Sequence, residues 1–139
     1  MSHRMCQICF AVGLLSCLFC AGCGQSVGTA PVSGTVTLNG EPLADAHVSF
    51  EPVRDSATAD AVGSFGKTNA EGHYSLELVT SGQSGAMPGM HVVRITTAKA
   101  EDPSREDSPI TPELAPQQYR TGVQFEVPAG GTDTANFDM

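Results

Sequence analysis

Five cysteines crowd the first 23 residues, and their spacing admits chemistry. Cys17, Cys20 and Cys23 form a C-x-x-C-x-x-C run, and Cys6 with Cys9 forms a further C-x-x-C. Thiolates so spaced could hold an iron–sulfur cluster or zinc, or act as a redox pair. Any of these needs a polar, foldable frame. Here Cys9, Cys17 and Cys20 are embedded in "ICFAVGLLSCLFCAG", residues 8–22, an uncharged run that follows "MSHR" and is flanked by Cys6 and Cys23. In such a run cysteine behaves as a small hydrophobe. No metal site and no cofactor are therefore expected. Beyond Cys23 there is no cysteine, so the rest of the chain can form neither an internal disulfide nor a thiolate metal site.

The remaining chemistry-bearing residues are scattered. His47, His73 and His91 each open a β-like stretch, and none pairs at an H-x-H or H-x-x-x-H ligand spacing. "GKT" at Gly66–Thr68 lacks the upstream glycine of a phosphate loop, since position 61 is Ala61, and no helix follows it. "GQSG" around Ser84 is not the G-x-S-x-G of a nucleophile elbow. Asn69 and Glu71 in "NAEG" fall short of a calcium loop and read as turn chemistry, with Gly72 supplying positive φ. No acid–base pair or activated nucleophile stands at a recognisable spacing, so the chain is not expected to be an enzyme.

Charge divides the chain. Arg4 is the only charged side chain before Cys23; all 15 acidic residues lie after it, with six basic ones. Nucleic acid is excluded as a partner, because no cluster of Lys and Arg could track phosphates. The acidity fits a solvated surface.

The elements that must carry these residues read as follows. Residues 8–22 are short for a membrane span, which needs about 20 residues, and suit a secretory signal. Residues 24–30, "GQSVGTA", form a flexible tether that reaches at most about 25 Å. From Pro31 the pattern alternates with period two. "VSGTVTL" is a strand with Val32, Val36 and Leu38 on one face, closed by the turn signal Asn39–Gly40. "HVSFEP", "SFGKT", "HYSLELV", "HVVRITT", "VQFEV" and "TANFDM" follow as strands. Their inward faces carry Val48 and Phe50; Tyr74, Leu76 and Leu78; His91, Val93 and Ile95; Val123, Phe125 and Val127; Phe137 and Met139. Residues 98–116, with four prolines, form a long irregular connection. No helix is expected after residue 23. Seven short strands separated by turn signals predict an all-β chain, a single antiparallel β-sandwich over residues 31–139.

Two resemblances bear on function. "FCAGCG" resembles the lipobox of bacterial lipoproteins. Ala21 and Gly22 match its small positions, Cys23 its lipidated cysteine, and Cys20 stands where leucine is usual. "LLSC" offers Cys17 as an alternative site, with bulky Leu15 in a small-residue slot. The resemblance implies that residues 1–22 are a signal peptide and residues 23–30 a lipidated cysteine with its tether. Gly24, in place of a retaining aspartate, hints at the outer membrane.

The second resemblance spans residues 31–139. Val32, Gly34 and Val36, then Gly40, Pro42, Leu43 and Ala46, then Val48 and Phe50 resemble the opening of carboxypeptidase regulatory-like domains. Thr68, Asn69, Gly72, Tyr74 and Leu76 follow that family's next motif. Pro88, Gly89, His91, Val93 and Ile95 follow another, and Pro116 with Tyr119 a late P-x-x-Y. The resemblance implies a transthyretin-like, Ig-like sandwich without known catalysis, with His91 in an aromatic core slot and Tyr119 structural. With the lipobox it implies a membrane-anchored protein of the bacterial cell envelope in a structural or protein-interaction role. The partner stays open, an envelope protein or a glycan. An alternative reading makes residues 53–63, 79–90 and 98–118 peptide- or carbohydrate-binding loops at one end of the sandwich.

Overall fold

The computed structural model describes residues 28–54, 59–99 and 104–139. Cys17, Cys23 and residues 24–27 of the tether lie outside the described residues. Alternation after Pro31 builds β1 (Ser33–Leu38), with Gly34 and Val36 buried. Asn39 and Gly40 both take positive φ, 52° and 83°, and turn the chain into the two-residue β2 (Glu41–Pro42). There follow β3 (His47–Pro52), β4 (Ser64–Lys67), β5 (His73–Ser75), β6 (Glu77–Leu78) and β7 (Gly89–Thr96). The single-turn helix α1 (Gln117–Thr121), β8 (Val123–Val127) and β9 (Phe137–Asp138) complete the described elements.

The strands form two sheets, an arrangement consistent with a β-sandwich. One sheet has five strands in the order β6-β4-β3-β7-β8, all antiparallel. The other has four, with β1 at its centre. Along one edge of β1 lie β5 and β2, both antiparallel; along the other lies β9, parallel. The backbone divides its bonds accordingly. Val36 donates to Gly72 and accepts from Leu43, whereas Ser33 donates to Thr132, Thr37 accepts from Met139 and Asn39 donates to Met139.

Three expectations need correction. The sandwich is not wholly antiparallel, because the last strand enters beside β1 in the same direction. "HYSLELV" is not one strand: its first half pairs with β1 and its second with β4. The chain changes sheets at Leu76, whose N–H reaches Val32 O at 3.0 Å while its carbonyl takes Gly85 N–H at 2.6 Å. Tyr74, Leu76 and Leu78 all stay buried across the change, which is why the alternation reads as continuous. A helix does form after residue 23. Pro116 accepts from Tyr119 and Arg120, and Gly122 at φ 120° stops the turn. One turn is too short to show helical periodicity.

The core joins both sheets. Phe50 of β3 meets Phe137 of β9 at 6.2 Å and Phe125 of β8 at 5.6 Å, both edge-to-face, the favoured geometry for aromatic rings. Tyr119 of α1 stands edge-on to Phe137 and donates its hydroxyl to Asp138 O at 2.8 Å. The closest approach is at Gly34, where a Cβ would lie 2.1 Å from Ala135 O. The same carbonyl accepts the buried Tyr74 hydroxyl at 2.6 Å. Gly34→Ala therefore forces the segment before β9 off β1. It should cost about 3 kcal/mol or more, the upper range for overpacking. Tyr74→Phe, which keeps the ring and removes the bond, should cost about 1–3 kcal/mol. Urea denaturation midpoints check both; an unchanged midpoint for Gly34→Ala would contradict the close approach.

Candidate functional site

The histidines do not converge. His47 and His73 are exposed and His91 is buried. Among the described residues no group of three His, Cys, Asp or Glu could hold a metal ion. His91 shares an Nδ1 contact of 2.9 Å with Gly89 O and packs against Phe50 at 5.9 Å. Its Nε2 is buried with no partner among the described residues. Burial pushes its pKa below the ordinary 6.5, the Gly89 contact opposing.

The "GKT" residues serve the fold. Gly66 is buried where a Cβ would meet Ser75 O at 2.5 Å. Lys67 pairs with Asp45, and Thr68 Oγ1 accepts Ala46 N–H at 2.8 Å. Ser84 is exposed and bridges Glu77. Asn69 Oδ1 accepts from the backbone of both Glu71 and His73, and Gly72 sits at φ 74°, so "NAEG" is a turn.

Register separates the three candidate loops. Pro52 lies across from His91 and Ser64 from Leu78, so the connections 53–63 and 79–88 share one end of the sandwich. The chain enters at that end, because Ala30 exchanges two backbone bonds with Ala86. Thr96 lies across from His47, so the connection that follows it starts at the opposite end. Among the described residues, the third loop therefore starts at the end opposite the other two.

The far connection is also less irregular than its prolines suggest. Glu113 Oε1 accepts from Thr97 N, Thr97 Oγ1 and Ala115 N at 2.9–3.0 Å. Thr97 Oγ1 takes Leu114 N–H at 2.7 Å, and Thr111 N–H reaches Lys99 O at 2.8 Å. Burial opposes ionisation of Glu113, but these bonds and a longer one from Ala98 outweigh it and hold the carboxyl below its ordinary range. Around this clasp a concavity of about 310 Å³ is lined by Ala44, Thr97, Lys99, Pro112 and Leu114.

A larger groove of about 670 Å³ runs over the four-stranded sheet, flanked by Ser33 and Thr35 of β1, His73 and Ser75 of β5, and Asn69 and Asn136. Asp133 and Lys67 stand at its margins, and Gly34 and Tyr74 also line it. Alternation creates it: the small polar residues of β1 and β5 face out because Val36 and Tyr74 face in. Asn136 replaces a missing ladder bond, its Oδ1 taking Thr35 N–H at 2.9 Å and lying 3.0 Å from Thr35 Oγ1. No sequence motif marks this groove, since it is assembled from four separate segments. Its lining joins amide and hydroxyl groups with the His73 imidazole and the Asp133 carboxylate.

Comparison with protein-family models, with curated proteins and with solved structures finds no match.

His91 and Glu113 set separable pH windows. A lowered folded-state pKa means that unfolded His91 binds its proton first, so stability is full above 6.5 and falls as pH drops through the lowered value. Glu113, also lowered, contributes stability that is present above 4.5 and lost in more acidic solution. His91→Phe keeps a ring beside Phe50 and removes the protonation site. Its stability profile should be flatter just below pH 6.5 yet keep the more acidic loss. Denaturation midpoints measured across this range check it; a slope unchanged in His91→Phe would contradict the assignment.

Proposed function

We propose that this chain is a lipid-anchored protein of the bacterial cell envelope, with a non-catalytic β-sandwich in a structural or protein-interaction role. The observation that carries the reading is the uncharged run 8–22 closing in Ala21–Gly22–Cys23, followed within a few residues by the folded domain. Cys23 becomes a thioether-linked, acylated N-terminus, and Cys17 is the alternative. Each buried CH₂ of an acyl chain adds about 0.8 kcal/mol to membrane binding, so several chains hold firmly. Gly24 favours the outer membrane.

The domain is read as the transthyretin-like sandwich of carboxypeptidase regulatory-like domains. The positions that carry the resemblance support this. Gly34 and Val36 lie on β1, Gly40 takes the turn φ, and Leu43 and Ala46 are buried. His91 occupies a core position among aromatic rings, and Tyr119 spends its hydroxyl on β9. Entry at the Ala30 end sets that end toward the membrane. The Thr97–Glu113 clasp, with exposed Ile110 and Leu114, is then presented outward.

Mass spectrometry of the mature protein tests the anchor. The expected N-terminus is acylated Cys23; Cys23→Ser should leave the leader uncleaved, whereas Cys17→Ser should mature normally. An unmodified N-terminus downstream of Cys23, or an intact wild-type leader, would overturn the proposal, and an acylated Cys17 would move the site to the alternative.

A further inference from the structure

We propose that the groove over the four-stranded sheet is a binding site for a neutral, hydroxyl-rich ligand, a short stretch of glycan. The first observation is its unspent hydrogen-bonding capacity. Asn69 and Asn136 each commit Oδ1 to the fold, and this fixes the direction of each side-chain NH₂. Neither NH₂ has a partner among the described residues, and both asparagines line the same groove, together with Ser33, Ser75 and His73. Donors held in place by bonds on their other atom lose little freedom when a ligand arrives.

The second observation is what the groove lacks among the described residues. The exposed large apolar side chains, Phe65, Val79, Met90, Ile110 and Leu114 among them, lie outside its lining, so an apolar ligand finds none of them there. An anion would need a free cation, and Lys67 is paired with Asp45 while Asp133 adds negative charge. A metal ion would need at least three such ligands together, and no group of three His, Cys, Asp or Glu that could hold one is present among the described residues. Neutral hydroxyls match a mixture of amide donors, hydroxyls, one imidazole and one carboxylate acceptor. The volume of about 670 Å³ falls within the range of small-ligand sites.

Isosteric substitutions give a clean test. Asn69→Asp and Asn136→Asp keep the Oδ1 acceptors on which the fold relies and replace only the unspent NH₂. The full chain, held in a zwitterionic, sugar-free detergent, is titrated with cellobiose, maltose and di-N-acetylchitobiose while backbone amide NMR shifts are followed. The expected result is saturable shifts at residues 33–35, 73–75 and 133–136 with at least one saccharide. The Asn69→Asp/Asn136→Asp double variant should bind about tenfold more weakly or worse, with amides outside the groove unmoved. No saturable shift with any of the three, shifts centred elsewhere, or undiminished affinity in the double variant would overturn the proposal. So would equal binding of inorganic phosphate or of a capped neutral tripeptide. The outcome is independent of acylation, which the N-terminal mass reports separately.

Discussion

The Ala135 carbonyl is the contact on which the four-stranded sheet depends. It rests against Gly34 where no side chain could fit and receives the hydroxyl of Tyr74. That one oxygen ties three strands of sequence together: β1 through the missing Cβ, β5 through the phenol, and the approach to β9 through its own backbone. Phe137 follows two residues later and carries the aromatic contact across to Phe50. A buried hydroxyl needs a partner, and burial drives the Tyr74 pKa upward, so this proton stays in place and keeps donating. Loss of the contact would free β9 and open the aromatic cluster from one side.

Much of this architecture is written in the alternation. Val36, Val48, Phe50, Tyr74, Leu76, Leu78, His91, Val93 and Ile95 are read inward from period two, and all are buried. The turn at Asn39–Gly40 follows from residue type alone, because both positions take φ that few other residues accept. What alternation cannot convey is partnership. A period of two says which face a residue takes and nothing about which neighbour its backbone meets, or in which direction. Hence the parallel entry of β9 and the change of sheet at Leu76 are tertiary facts. The clasp of Thr97 and Glu113 is of the same kind. Its residues lie sixteen positions apart in a proline-rich stretch that reads as loop, and only the folded chain brings the carboxylate under three N–H and O–H groups.

The groove illustrates a further reason why sites escape sequence reading. Its residues are ordinary turn and strand-exterior types: serines and threonines on the outer face, an asparagine in a turn, another near the chain end. Each has a sufficient local explanation. What gives them joint meaning is that the fold consumes half of each carboxamide and leaves the other half unspent on residues that line one groove. The cysteines pose the opposite case, a conspicuous spacing set in an uncharged run.

The direction of β1 has a mechanical consequence. The chain enters at Ala30 and β1 runs directly away from that point, gripped by antiparallel strands on one edge and by parallel β9 on the other. A pull applied to the chain ahead of Ala30 would act along the axis of β1. The ladder bonds on both edges lie across that line of force, so they would share the load instead of opening one after another as in a peeled hairpin.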